Sequence, residues 1–138
     1  MSKRILVVED QEDNRQILRD LLGNAGYELV EAADGEQALA AYAKQRPDLI
    51  LMDIQLPVMD GYETTRRIRA DPGSKAVPII AVTSYALTGD EARALAAGCN
   101  DYVTKPYGPR ALLAKVREHL ALVELGKPPP VIGAATVT

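Results

Sequence analysis

Apolar residues along this chain follow two periods that take turns. Short, nearly unbroken runs rich in Val, Ile and Leu occur at "RILVVED" (Arg4 to Asp10), "YELVEA" (Tyr27 to Ala32), "DLILMD" (Asp48 to Asp53), "VPIIAVTS" (Val77 to Ser84) and "DYVTKP" (Asp101 to Pro106). Each reads as a strand, with Pro78 tolerable only at the first residues of its run. Between the runs the spacing turns helical. Ile17, Leu18, Leu21 and Leu22 form one face, closed by Gly23 and Gly26. Asp34 stands three residues before Gln37 as an N-cap, Leu39, Tyr42 and Ala43 supply the buried face that follows, and Pro47 stops it. A further helical element runs from Gly61 to about Ala70, ended by "DPG" at Asp71 to Gly73. Thr88 and Glu91 have capping-box spacing for a helix that carries Leu95 and ends at Gly98. Pro109 suits the first turn of a last helix whose face is Leu112, Leu113, Val116 and Leu120.

Strands that alternate with helices specify an α/β domain with a parallel sheet, because each right-handed crossover returns the chain in the same direction. Central parallel strands are covered on both faces, which explains why they read as solid apolar runs. The expected fold is a doubly wound, flavodoxin-like, five-stranded parallel sheet in the order 2-1-3-4-5 with five helices. It would occupy residues 1–123 of the 138. From Glu124 the character changes: "ELGKPPPVIGAATVT" has a triple proline and no amphipathic period, so residues 124–138 read as a Pro-rich tail with no attached output domain.

Composition removes several classes of function. Net charge is −3 with mixed signs and no Lys/Arg block, which argues against nucleic acid or an anionic membrane as partner. Six Tyr stand with no Phe or Trp, so the core must be aliphatic. Cys99 is the one cysteine, leaving no disulfide or zinc ligand set and suggesting a small buried residue. No apolar run approaches membrane-spanning length, and "MSKRILVVED" lacks a signal-peptide core; the expected location is cytoplasmic. Met52 and Met59 read as core filler, and His119, one step off the last helix's stripe, as a partly exposed residue.

The polar residues that matter sit at strand ends. In a doubly wound sheet of this order, ligands lie beyond the carboxyl ends of strands one and three, where the winding reverses. Those ends carry Glu9, Asp10 and Asp53. Carboxylates a few Å apart repel strongly unless a cation intervenes, and oxygen-only ligands suit a hard one such as Mg²⁺. Strand four ends on hydroxyls, Thr83 and Ser84, and strand five on the Lys105 ammonium. A hydroxyl, an ammonium, a cation site and one carboxylate on a rigid strand end can cradle a phosphoryl group.

With "VVED", "LILMDIQLPVMDG", "IIAVTSYA" and "DYVTKP" in their order, the chain resembles a response-regulator receiver domain of two-component systems over residues 3 to 122, and in finer detail the DivK-type single-domain regulators and the receivers of hybrid kinases. The resemblance implies that Asp53 takes a phosphoryl group from a histidine kinase or a histidine phosphotransferase. It implies that Asp10, Asp53 and the backbone carbonyl of Gln55 hold Mg²⁺, with Glu9 assisting through water. Lys105 would pair with the acids and then the phosphoryl oxygens, Thr83 would turn to the phosphoryl group, and Tyr102 would swing inward behind it. The Lys105–Pro106 bond would be cis. Gln55 and Tyr85 occupy the positions that tune phosphate lifetime, and Glu9 stands where Asp is commoner. Output would pass to a downstream protein target through the face of helix four, strand five and helix five, making the protein a phosphoacceptor switch rather than an enzyme. Three competing readings remain. A haloacid-dehalogenase-type phosphatase needs a second Asp two residues after its nucleophile, on the first strand. Here that position is Gln55, on the third. A receiver-like module that is never phosphorylated would have no need of the intact polar set. A nucleotide-binding flavodoxin-like domain needs a Gly-rich loop where this chain has the acidic "EDQEDN".

Overall fold

The structure is a computed structural model that describes residues 2–83 and 90–126. Strands β1 (Arg4–Val8), β2 (Glu28–Ala32), β3 (Leu49–Asp53), β4 (Ile79–Thr83) and β5 (Asp101–Thr104) alternate with helices α1 (Glu12–Asn24), α2 (Gly35–Gln45), α3 (Gly61–Arg69), α4 (Asp90–Ala97) and α5 (Pro109–Glu124). A short 3₁₀ turn, Pro72–Ala76, lies between α3 and β4. All strand pairs are parallel, and the order across the sheet is β2-β1-β3-β4-β5. This is the flavodoxin-like α/β arrangement expected from the alternation of periods.

Side chains of a strand alternate between faces, and that period of two divides the core. Leu6, Val8, Ile50, Met52, Ile79 and Ala81 face one way and meet Ala38 and Tyr42 of α2, Tyr62 and Ile68 of α3, and Ala94 and Ala97 of α4. Ile5, Val7, Leu49, Leu51, Ile80 and Val82 face the other way and meet Leu18 and Leu22 of α1 and Leu112, Val116 and Leu120 of α5. Strand β3 lies at the centre of the sheet and every one of its residues is buried, Asp53 included.

The helix caps follow local chemistry. Asp34 caps α2 by accepting from the Gln37 amide, and Asp60 caps α3 by accepting from the Glu63 amide. Gly98, at φ +111°, ends α4 in a conformation that favours glycine.

Several expectations need correction. On α1 the buried positions are Leu18 and Leu22, whereas Ile17 is 55% exposed. On α2 Ala38 and Tyr42 are buried and Ala43 is exposed; on α4 Ala94 and Ala97 face the sheet, leaving Leu95 exposed. Each helix docks through a narrow stripe, and two adjacent apolar residues, 100° apart on a helix, cannot both be centred on it. Met59 is only partly buried. His119 is buried at 2% exposure rather than partly exposed, because its Nε2 lies 3.1 Å from Oδ2 of Asp101 at the start of β5. Lys115 reaches the same carboxylate at 2.9 Å, so the pair ties α5 to β5. Strands β1, β4 and β5 are shorter than their apolar runs, which places Glu9, Asp10 and Lys105 just past the strands, on the rim. The Thr88 cap and most of the Pro-rich tail, residues 127–138, lie outside the described residues.

Candidate functional site

Neighbouring β1 and β3 end side by side, with Val8 opposite Met52, so the residues that follow converge above the sheet. Carboxylate oxygens of Glu9, Asp10 and Asp53 come within 4.8 Å of one another. Lys105, one residue beyond β5, extends its ammonium into this group, 2.7 Å from Glu9 Oε1 and 3.4 Å from Asp53 Oδ2. The backbone holds the frame. The Lys105 amide donates to the Thr83 carbonyl at 2.6 Å, and Thr83, buried, closes β4 one residue past the partner of Asp53. Gln11 donates its amide to Glu9 Oε2 at 3.1 Å, and Gln55 donates its amide to Asp53 Oδ1 at 3.0 Å.

The lysine is shared unequally, and the acidities follow. Burial alone would raise Glu9, but the Lys105 ammonium and the Gln11 amide hold it below its usual range. Burial and the nearby Glu9 charge push Asp53 up to about 6, against the smaller pull of the Gln55 amide and Lys105. Asp10 is also raised, by burial and then by Glu9. Lys105 is raised despite its own burial, because both Glu9 and Asp53 favour its charged form. Three carboxylates thus carry charge that one ammonium does not fully relieve. The donors are all oxygen and strongly anionic, a set that fits a hard divalent cation such as Mg²⁺ and not a soft metal.

Residues 9, 10, 53, 83 and 105 therefore share one rim. Gln55 is exposed beside Asp53, and the Lys105–Pro106 peptide is cis. Tyr102, on β5, is partly buried and packs against the core on the α2–α3–α4 side of the sheet. Tyr85 and Ser84 lie outside the described residues.

Two residues at the site escaped sequence reasoning. Gly61 begins α3 against the end of β3: a Cβ there would sit 2.3 Å from the Asp53 carbonyl oxygen and 2.7 Å from Ile54 Cα. The Asp-Gly pair in "MDG" signals a helix start, but only the fold reveals what the glycine clears. Arg15 hydrogen-bonds the Glu9 carbonyl through Nη1 at 2.7 Å, a contact that helix spacing cannot show.

The family model described as "Response regulator receiver domain" matches residues 5–117. The chain is 40% identical over 120 residues to the polar-differentiation response regulator DivK of Brucella anthropi, an alignment covering 87% of this chain and 98% of that protein. Its fold matches the chemotaxis protein CheY4 of Vibrio cholerae with a TM-score of 0.82 at 33% identity, over 86% of this chain and 98% of that one. It matches the receiver domain of a sensor histidine kinase from Pseudomonas aeruginosa PAO1 with a TM-score of 0.81 at 42% identity, over 88% and 99% of the two chains. That structure has a magnesium ion coordinated in its active-site cleft.

Proposed function

This chain belongs to the response regulator receiver family, and from that premise we propose that Asp53 is the phosphoacceptor of a Mg²⁺-dependent signalling switch. The observation that carries the reading is the buried Asp53 carboxylate grouped with Glu9 and Asp10, with the Lys105 ammonium 3.4 Å from its Oδ2.

An Asp53 oxygen attacks the phosphorus of a phosphohistidine on a kinase or phosphotransferase. The P–N bond breaks, and its electron pair stays on the imidazole nitrogen. An acceptor acidity of about 6 leaves Asp53 mostly ionised at neutral pH yet more basic than an ordinary aspartate, which suits a nucleophile. Asp10, Asp53 and the Gln55 carbonyl would hold Mg²⁺. Glu9, whose oxygens are engaged by Lys105 and the Gln11 amide, would assist through water. The bound cation supplies charge compensation for the oxygens of the transferring group. Lys105 turns from the acids to the new phosphoryl oxygens, and Thr83 donates its hydroxyl to another. Phosphorylation adds close to two negative charges and three strong acceptors at the end of β3. Tyr102, one strand over, follows Thr83 inward, and the α4–β5–α5 face presents a changed surface to a downstream protein. Gln55 and Tyr85 tune the lifetime of the phosphoryl group. Among the described residues no helix is long and apolar enough to cross a membrane, and we place the switch in the cytoplasm with its kinase. The likeness to a histidine kinase's receiver favours a second setting with the same chemistry, as the receiver of a hybrid kinase.

Incubation with acetyl phosphate and Mg²⁺, followed by intact mass measurement, tests the assignment. One acid-stable, base-labile phosphoryl adduct is expected in the wild type, and none in Asp53→Asn or with Mg²⁺ chelated. An adduct that persists in Asp53→Asn refutes it.

A further inference from the structure

Glu9 and Asp10 stand where the ladder between β1 and β2 runs out. The Glu9 amide still donates to the Ala32 carbonyl at 3.0 Å. There β2 ends, and the next amide, Ala33, turns away to Gln37 Oε1 at 2.9 Å. The Glu9 carbonyl therefore belongs to a buried residue yet lies past the regular strand, and a buried backbone acceptor requires a donor.

Arg15 supplies it, with Nη1 2.7 Å from the Glu9 carbonyl. The same guanidinium pairs with Glu12 in the first turn of α1 at 2.5 Å and with Glu31 of β2 at 3.4 Å. Its side chain is only 16% exposed. A planar fork with several fixed donors can hold three groups in one arrangement, which a lysine cannot.

We propose that Arg15 is a positioning residue, fixing the turn that aims Glu9 and Asp10 at the cation-binding rim; the inference rests on the phosphoacceptor reading above. Charge and geometry make opposite predictions here. Removing a positive charge beside three acids tightens the binding of a divalent cation if Coulomb attraction alone decides. Loosening the turn weakens it.

Calorimetric titration of the full chain with Mg²⁺ separates the two, using wild type, Arg15→Met, Arg15→Lys and, as a stability control, Leu22→Ala from the buried face of the same helix. Arg15→Met is expected to weaken Mg²⁺ binding about tenfold, the usual scale for losing a group that orients a metal ligand. Adduct formation from acetyl phosphate at subsaturating Mg²⁺ should slow in parallel. Arg15→Lys, which keeps one donor for the Glu9 carbonyl, should recover part of the loss. Leu22→Ala should lower the melting temperature and leave Mg²⁺ affinity alone. Unchanged or tighter Mg²⁺ binding by folded Arg15→Met overturns the proposal, as does an equal loss in Leu22→Ala. A wild type that shows this pattern of affinities but takes up no phosphoryl group sinks the phosphoacceptor reading and leaves the positioning role standing.

Discussion

Replacing Asp53 by Asn should make the metal-free protein more stable. Folding moves the Asp53 carboxyl from an ordinary 3.8 to about 6, chiefly through burial and the Glu9 charge. An acid whose folded value is raised is ionised less readily in the native state, so its charge opposes folding. The penalty is absent at pH values below 3.8, grows between 3.8 and 6, and is complete above 6. A shift of this size corresponds to about 3 kcal/mol at 1.36 kcal/mol per unit. The Asp53 side chain is 4% exposed, so solvent screening subtracts little. Asparagine keeps the shape and removes the charge, and a gain of roughly 2 to 3 kcal/mol at pH 8 is expected. On a chain of this size that is on the order of 8 °C in melting temperature. Urea unfolding of both proteins in EDTA, repeated from pH 8 down to pH 4, measures it. The gap should narrow steadily below pH 6, and saturating Mg²⁺ should close much of it at pH 8 by stabilising the wild type. An Asp53→Asn protein no more stable than wild type at pH 8 in EDTA would refute the account of the site as an unrelieved cluster of charge.

Three further outcomes follow from the same structure. Gly61→Ala should slow phosphoryl uptake at least tenfold and cost about 2 kcal/mol, because its methyl meets the backbone of Asp53 and Ile54, which cannot swing aside as a side chain can; mass-detected adduct formation and urea melts report the two effects. Val58→Asn should stabilise by roughly 0.5 to 1 kcal/mol, since a fully exposed β-branched residue holds φ +69° there and asparagine tolerates that region better. Burial raises the Asp101 carboxyl, but His119, Lys115 and the Tyr102 amide outweigh it and hold the group low. Its contribution to stability is therefore complete above the unfolded value and lost as pH falls through the lower folded one, and Asp101→Asn should flatten the acid limb of the stability curve measured by urea unfolding.

The architecture was legible because each level of the sequence agrees with the next. Solid apolar runs imply two-sided burial, and their alternation with helical periods implies a parallel sheet. From that order of strands follows the meeting of Glu9, Asp10 and Asp53. Local caps such as Asp34 with Gln37 were equally plain, since donor and acceptor lie three residues apart. Orientation within a helix was harder. Ile17 and Leu18 are both apolar, and only docking against the sheet decides that Leu18 goes in. The burial of His119 is hidden for a related reason: a polar ring suggests water, and the carboxylate that meets its Nε2 lies eighteen positions away in sequence, on another element. The unequal division of Lys105 between Glu9 and Asp53 is a matter of tenths of an ångström, which no spacing encodes.

The same separation of scales accounts for how the domain tolerates its site. Both faces of the sheet are packed with aliphatic side chains right up to the residues before the acids, with Val8 and Met52 almost wholly buried. Backbone amides then fix the next residues: Glu9 donates to the Ala32 carbonyl, Lys105 to the Thr83 carbonyl and Gln55 to the Asp53 carboxylate. Repelling carboxylates cannot relax apart without pulling strand ends out of that core, and interior packing resists such displacement. The repulsion therefore persists as a demand for positive charge at one spot. Lys105 meets part of it, leaning toward Glu9, and leaves Asp53 the more basic of the two. An anionic cluster held rigidly short of neutrality is what a divalent cation can bind and, in the proposed switch, what an added phosphoryl group would disturb. Stability withheld at the tips of β1 and β3 is thus what the proposed switch would draw on, and the hydrophobic sheet beneath is what allows it to be withheld.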